Sequence, residues 1–366
     1  MKLLGILFSI FSLSTAYNQT HYNKQLVDTI TVFSDIGGRV DWHEESGNVV
    51  YDQQTNEGCD IFLYSLTLDT TINLTVDMNF TEYNGNMVKP WQHKGQPAIH
   101  PSGKFIAFQV MNDHSSDTHK TSELLSLGVN NDLWVMDING ENKKKLTNNP
   151  EGYSVLHPHF SHNGQKIIWA EKYQNNKTHS TFGSWRIKIA DVKIDNSSNL
   201  TIVNIQSIQP NGDKWYETHG FSLDDSKIIF SGNLDTDLKA NDIYFYDLKT
   251  KELQNITNSK STWEEMYNYN PQDSTEYSYI SSSFFDWNNK WGWATLRTEL
   301  YINRNGQVHQ LTAFNQEGNF GNNTLTKKHY FIGDHCYSPD GKSILAILAE
   351  ISLGKSSSKI IQIHIK

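Results

Sequence analysis

Histidine, carboxylate and amide side chains recur at one position of a repeated sequence unit. The residues that lie seven positions before each predicted turn residue, or flank that position by one, are Gln96, His157, Glu217, Thr218, His219, Tyr267, Asp334 and His335. Such groups can coordinate a divalent metal, orient a sugar or a peptide, or provide a base. Their spacing matches no defined metal-ligand motif, so a polar lining, a ligand site and a metal site are all open interpretations.

A second candidate group is aromatic. Trp287, Trp291 and Trp293 follow Phe284 and Phe285 in a short stretch. Exposed aromatic rings could stack on sugar rings or anchor a peptide. They could equally fold inward as a small satellite core that holds a long loop.

Serine-hydrolase chemistry is excluded by the motifs. The stretch from Gly152 to Leu156 begins like a G-x-S-x-G nucleophile elbow, but it lacks the second glycine. No α/β segment follows it, as such an elbow would require. No cofactor motif is present either, so we expect no cofactor.

The elements that position these groups are β-hairpins. In 157–169, HPHFSHNGQKIIW, a short strand, a polar turn and an apolar return strand follow one another. The same pattern recurs at 43–51, 100–108, 222–230, 270–279 and 338–346. Each hairpin precedes a further strand, beginning at Asp60, Asp132, Arg186, Asp242, Glu299 and Lys359. Six such units predict a propeller, because one small sheet cannot bury both of its faces alone.

The two chain ends predict how the ring closes. Leu26 to Phe33 forms a strand with no hairpin before it, and the chain stops at Lys366 just after a third strand. If the N-terminal strand completes the last sheet, no unpaired edge is left at the junction. We therefore predict an all-β fold over 17–366, a six-bladed β-propeller of four-stranded antiparallel blades.

Long insertions identify one face of this predicted ring. They lie between the second and third strands of four units, at 111–131, 174–183, 233–241 and 281–297. Insertions gathered on one face indicate a binding surface. The innermost strands start at the same face, so the histidines and carboxylates should meet at one mouth of the channel. We expect His159 to face a blade interface, and His100 and His162, in or beside turns, to be solvated.

The hairpin sequences resemble a known repeat. SPDGKSILA (338–346), SHNGQKIIW (161–169) and DLWVMDINGENKKKLTNN (132–149) resemble the TolB-like, WD-repeat-like propeller repeat of exported bacterial proteins. The resemblance implies six blades with the N-terminal strand closing the ring. Members include periplasmic protein-binding scaffolds, propellers attached to serine peptidases and a sugar-lyase branch. Blade five departs from the pattern at 270–273, where NPQD replaces SPDG.

The N-terminal sequence, the net charge and the two cysteines limit where the protein is expected to act and what it is expected to bind. Residues 1–16 have a basic start, a short apolar run and a small-x-small ending, which predicts a secretory signal peptide and an exported protein, periplasmic or secreted. No later stretch has the length of a membrane span. A net charge of −9 argues against nucleic acid and anionic membranes. Cys59 and Cys336 fall at different ends of their blades, so free thiols compete with a disulfide.

These observations favour a monomeric, non-catalytic binding module for a protein or glycan partner on the long-loop face. The binding candidates are Gln96, His157, Glu217, His219, Asp334, His335, Trp287, Trp291 and Trp293. The alternative is a metal-assisted oligosaccharide lyase at the channel mouth. Lys94 is the one basic residue that the sequence places nearby, which disfavours an acidic substrate.

Overall fold

The computed structural model describes most of the chain from residue 23 onward. It covers 23–366 apart from 57, 80, 84–85, 89–92, 113–129, 175–182, 236–239, 260, 285–295, 316–328 and 353–354. The predicted signal peptide and the three tryptophans of blade five, Trp287, Trp291 and Trp293, lie outside the described residues. In the described part, neither helix has the length and hydropathy needed to cross a membrane.

Strands dominate the described chain. A 3-10 helix, Lys24–Leu26, leads into β1 (Val27–Ser34). Blade one contains β2 (Val40–Trp42), β3 (Val49–Thr55), β4 (Gly58–Ser65) and β5 (Thr70–Asn73). A second 3-10 helix, Val76–Asn79, and a small hairpin of β6 (Thr81–Tyr83) and β7 (Asn86–Val88) connect it to blade two.

The next three blades repeat the four-stranded pattern. Blade two contains β8 (Lys94–Ile99), β9 (Phe105–Met111), β10 (Asn131–Asp137) and β11 (Lys144–Lys145). Blade three contains β12 (Ser154–Phe160), β13 (Lys166–Gln174), β14 (Ser184–Ile194) and β15 (Leu200–Ile208). Blade four contains β16 (Tyr216–Phe221), β17 (Lys227–Gly232), β18 (Asp242–Asp247) and β19 (Leu253–Asn255).

The last two blades complete the ring. Blade five contains β20 (Glu264–Asn270), β21 (Asp273–Ser281), β22 (Glu299–Arg304) and β23 (Gln307–Gln310). Blade six contains β24 (His329–Tyr337), β25 (Ser343–Ser352) and β26 (Lys355–Ile365), and β1 pairs antiparallel with β26. The predicted fold, six four-stranded antiparallel blades closed by the N-terminal strand, is confirmed. Cys59 and Cys336 are buried free thiols in blades one and six.

The hydrophobic core lies between neighbouring blades. One layer joins Leu156, Ile168 and Trp185 of blade three to Trp215 and Phe230 of blade four. A second layer joins blades five and six. Neighbouring blades therefore cover both faces of a sheet, which explains why a return strand such as β9, FIAFQVM, is a continuous buried apolar run rather than an alternating one.

In four blades, a repeated set of hydrogen bonds joins a threonine just after the outer strand to the third strand. The threonines Thr75, Thr147, Thr257 and Thr312 accept a bond at 2.9–3.0 Å from the third-strand N–H groups of Ile61, Leu133, Ile243 and Leu300. Each threonine donates in turn, at 2.6–3.1 Å, to a carboxylate within the first three residues of that strand, Asp60, Asp132, Asp242 or Glu299. The recurrent acid and threonine of the repeat are thus structural partners.

Turn residues at the opposite end of the blades connect several neighbouring blades. His43 Nε2 contacts Pro101 O at 3.0 Å, His100 Nε2 contacts Gly164 O at 3.0 Å, and Asn270 Nδ2 donates to Gly341 O at 3.2 Å. His100 is 5% exposed, so the prediction that it is solvated is wrong. The His100 imidazole reaches across to the turn of blade three, where only a glycine leaves room for it. His162 is 39% exposed and contacts Asp225 of blade four at 3.0 Å.

Gly164→Ala should destabilise the protein more than Gly212→Ala. Both glycines have positive φ, +68° and +69°, so both substitutions carry the left-handed backbone cost of about 1–2 kcal/mol. At Gly164 the added Cβ would also lie 2.6 Å from the His100 ring, whereas nothing lies within 4 Å at Gly212. We expect an additional overpacking cost of about 1–3 kcal/mol, measured by urea unfolding. Equal losses in the two variants would contradict this role for His100.

Candidate functional site

A β-bulge interrupts the innermost strand of most blades. Two residues oppose one between Gly95 and Ala98, between Leu156 and His159, between Glu265 and Asn268, and between Ile332 and His335. Blade four has a single extra residue between Thr218 and Gly220. Three bulge residues, Gln96, His157 and Met266, have φ of 52°, 49° and 58°. Bulges re-aim side chains, and here they bring polar groups to the central channel.

Pairing within each blade identifies the equivalent residues. Counting back from the hairpin-closing positions His43, His100, Ser161, Ser222, Asn270 and Ser338, the residues in register are Arg39, Gln96, His157, Thr218, Met266 and Asp334. Met266, not Tyr267, therefore occupies this position in blade five. Tyr267 packs against Phe245 and Tyr277, with ring centroids 5.2 and 4.6 Å away.

A ring of inter-blade contacts runs through these positions. The bonds, in blade order, are Gln96 N to Asp52 (2.9 Å), His157 N to Gln96 Oε1 (2.5 Å), Thr218 Oγ1 to His157 O (2.6 Å), Met266 N to His219 Nε2 (3.4 Å) and Asn268 Nδ2 to His335 O (2.7 Å). Arg39 closes the ring by pairing with Asp334. Each contact joins one blade to the next.

Charged groups cluster on one side of this ring. Arg39 lies between Asp334 and His157, with its guanidinium 3.5 Å from His157 Nδ1. His157 Nε2 is 2.7 Å from Glu217 Oε1, outside hydrogen-bonding direction. Glu265 accepts from Asn241 Nδ2 at 2.9 Å. The cluster thus places Arg39 beside Asp334 and His157, with Glu217 next to the imidazole.

Burial decides the protonation states of this cluster. Desolvation lowers the pKa of His157 well below its usual value, and the Arg39 charge lowers it further. Desolvation raises the pKa of Glu265 well above its usual value, and the neighbouring Glu217 adds to the rise. We therefore assign a neutral imidazole to His157 and a protonated carboxyl to Glu265. Burial also lowers the pKa of His219, so its imidazole is neutral too.

Below Arg39 the channel contains a small cavity. Its volume is about 70 Å³, and its walls include Gln96, His159, His219, Asn268 and His335. Ligand pockets are typically about 300–1,000 Å³, so this space suits water rather than a sugar residue. The expectation that His159 faces a blade interface is incomplete, because its ring also lies in this wall, 6.4 Å from the His157 ring.

The structure brings six of the predicted residues together: Gln96, His157, Glu217, His219, Asp334 and His335. Whether they bind a ligand stays a prediction, and the tryptophans of blade five lie outside the described residues. Lys94 is fully buried and donates to Asp60 at 3.0 Å, inside the blade one–blade two contact rather than at the mouth. In the described ranges, no three or more His, Cys, Asp or Glu side chains are arranged so that they could hold one metal ion.

Sequence reasoning missed three members of the site: Arg39, Asp52 and Glu265. Asp52 accepts from Arg39 N at 3.0 Å as well as from Gln96 N. A Cβ on Gly38 would lie 1.9 Å from Asp52, so the glycine permits this close approach. The Gly-Gly pair before Arg39 and the acid before each of Thr218 and Met266 were the available signals.

Comparisons with known proteins support the fold. The chain matches no family model and no curated protein. Among solved structures, a protein assigned as TolB from Agrobacterium tumefaciens is 12% identical, with 91% of each chain covered and a TM-score of 0.48. A puromycin-hydrolyzing peptidase from Mycobacterium tuberculosis is 9% identical with a TM-score of 0.51, over 93% of this chain and 48% of that one. An oligogalacturonate lyase in complex with manganese is 13% identical with a TM-score of 0.47, over 92% of this chain and 91% of that one. At such identities a likeness bears on the fold alone, and the predicted six-bladed propeller is confirmed by the strand order of the described sheets.

Two buried groups should give opposite pH dependences of stability. Burial lowers the pKa of His335 from 6.5 to about 4, and burial raises the pKa of Glu264 from 4.5 to about 7. Between pH 4 and 6.5 the unfolded state binds the His335 proton and the folded state does not, so His335 makes stability fall as pH falls. Between pH 4.5 and 7 the folded state keeps the Glu264 proton, so Glu264 makes stability fall as pH rises.

His335→Gln should therefore reduce the slope of unfolding free energy against pH, and Glu264→Gln should increase it. Each change is at most about 1.4 kcal/mol per pH unit, the value for one proton. Urea unfolding at several pH values between 4.5 and 6.5 measures both slopes. Slope changes of the same sign in the two variants would contradict the assigned protonation states.

Proposed function

We propose that this protein is an exported, non-catalytic propeller that binds a protein or glycan partner on its long-loop face, at the mouth of the channel. The observation that carries the proposal is that the polar channel groups contact one another. Arg39 pairs with Asp334, His157 Nε2 lies 2.7 Å from Glu217 Oε1, and Glu265 accepts a hydrogen bond from Asn241. Groups used in this way fix the inner strands and form a rigid base for a binding surface.

The histidines fit this interpretation better than a catalytic one. A general base needs a nitrogen within reach of a substrate proton. His219 Nε2 is instead 2.6 Å from Ser231 Oγ, and His335 Nε2 is 2.8 Å from Ser278 Oγ. Both imidazoles are buried, with 6% and 3% exposed surface. Their role is to connect strands and blades.

The two glutamates lie closest to the long-loop face. Glu217 pairs in register with Ser231, one residue before the end of β17, and Glu265 pairs with Ile280, one residue before the end of β21. The long connections of blades four and five leave the sheet at those ends. Loops on a rigid scaffold commonly carry binding function, and the Glu217 carboxylate near them suits a hydroxyl-rich or cationic partner.

The alternative function, a metal-assisted oligosaccharide lyase, is favoured by one observation. Arg39 supplies the basic group near a histidine that sequence reasoning did not find, at 3.5 Å from His157 Nδ1. Its guanidinium is occupied by Asp334, however, and the adjoining cavity of about 70 Å³ is too small for a sugar ring. The lyase therefore ranks second.

A combined binding and turnover assay separates the two functions. Purified protein would be applied to a glycan array and a displayed peptide library, and incubated with acidic oligosaccharides with and without Mn²⁺. We expect a captured ligand, no unsaturated product by ultraviolet absorbance, and at least tenfold weaker binding in Glu217→Gln. The matched control is Glu171→Gln, a buried glutamate of blade three that pairs with Arg186 away from the channel.

Three results would contradict the proposal. Manganese-dependent unsaturated product, lost in Arg39→Gln, would establish the lyase instead. Equal loss of binding in Glu217→Gln and Glu171→Gln would show that the effect is a general loss of stability. Absence of any captured ligand from both panels would remove the binding function.

A further inference from the structure

The outer strand of blade three differs from its counterparts. β15 (Leu200–Ile208) has nine residues, whereas β5, β11, β19 and β23 have four, two, three and four. The outer strand of blade six, β1, has eight residues but carries the charged Asp28. It is the edge of its sheet, and Val203 and Ile205 on it are 37% and 45% exposed. Its sequence, LTIVNIQSI, has no charged residue and no proline. Natural edge strands usually carry such residues or a β-bulge, because a long uncharged edge can pair with another chain. β15 has one bulge, at Asn204 and Ile205, and its residues 200–203 and 206–208 on either side remain in regular register.

A groove runs beside this strand. It has a volume of about 510 Å³, and residues of β14 and β15, among them Gln206 and Ile208, face Tyr246 and Leu248 of blade four across it. The outer strand of blade four, β19, has only three residues, so most of the face of β15 has no outer strand opposite it. The volume lies in the range of ligand sites, and the walls combine apolar and polar groups.

The groove has a local charge opposite to that of the whole chain. The chain carries a net charge of −9, but the groove contains Lys166, Lys251 and a single carboxylate, Asp191. Lys166 Nζ pairs with that carboxylate at 2.7 Å. Lys251 is exposed, bonded to Leu248 O at 2.6 Å and 6.0 Å from the Tyr246 ring. A partner that enters the groove therefore meets an excess positive charge.

We propose that β15 and this groove bind an extended acidic segment of a partner protein, which adds to blade three as a fifth strand. The backbone of the segment pairs with the open edge of β15, as in strand addition. Side chains on one face of the segment lie over the groove, where acidic groups meet Lys251. Side chains on the other face are apolar and contact Val203 and Ile205. This site lies on the outer rim and does not depend on the channel-mouth function.

A defined peptide tests the site directly. The probe is a fluorescein-labelled nine-residue peptide that alternates valine and glutamate, titrated with the full mature protein and followed by fluorescence anisotropy. We expect saturable binding that weakens with added salt, because exposed charges are screened. Methylating the backbone nitrogens along one edge of the peptide should abolish binding, while methylation along the other edge should not. Equal effects on both edges, or no saturable binding by the wild type, would overturn strand addition.

Matched variants locate the site on the protein. Ile205→Glu should weaken peptide binding at least tenfold, whereas Ile72→Glu on β5, at a residue 44% exposed compared with 45%, should not. Lys251→Glu should weaken it similarly, whereas Lys249→Glu in the same turn should not. Equal losses in variant and control would overturn the assignment. Glu217→Gln should leave peptide binding unchanged, and a loss there would show that the groove is not an independent site.

Discussion

The fold depends on holding six inner strands at a fixed distance around a narrow polar channel. Apolar layers between the blades supply much of the burial, but they do not specify how far the inner strands approach one another. That distance is set by side chains that reach from one blade to the backbone of the next, such as Gln96 to His157 N and Thr218 to His157 O. Each bond contributes only about 1 kcal/mol, yet losing one leaves a buried group unpaired. This ring of inter-blade hydrogen bonds therefore determines the geometry of the channel more than it contributes to the stability of the fold.

The charge states of the channel follow from this closure. Bringing Arg39, Asp52, Glu217 and Glu265 close together inside the ring removes water from each of them. A buried pair of like charges is costly, so Glu265 holds a proton beside Glu217, while Arg39 stays ionised between acidic neighbours. The imidazoles stay neutral because burial lowers their pKa, and they act as hydrogen-bonding groups between strands. A polar channel of this kind arises from blade closure even without a ligand.

The sequence predicts the blades well because their signals are local. Turn residues, apolar return strands and the recurring acid and threonine lie within one unit, and the unpaired N-terminal strand predicts the closure with β26. The inner column was predicted less well. Glycine was used to align the turns, but Gly47 stands one residue later in its turn than Gly103 does, and blade five has no turn glycine. Arg39 was therefore missed and Tyr267 was placed where Met266 belongs. The contacts of His100 depend on the neighbouring blade, which no single unit encodes.

Ring closure explains most polar residues of the channel, but it does not explain the length and composition of β15. Most inner polar residues are explained by a partner on the adjacent blade, and the paired acids and threonines by the third strand of their own blade. Apart from β1, whose eight residues join the two chain ends, an outer strand only has to complete its own sheet, which two to four residues achieve in blades one, two, four and five. The nine residues of β15, their uncharged edge and the lysines beside it exceed that requirement. Because an open edge of this kind exposes the protein to unwanted pairing, a binding role is the most direct physical reason for it to persist.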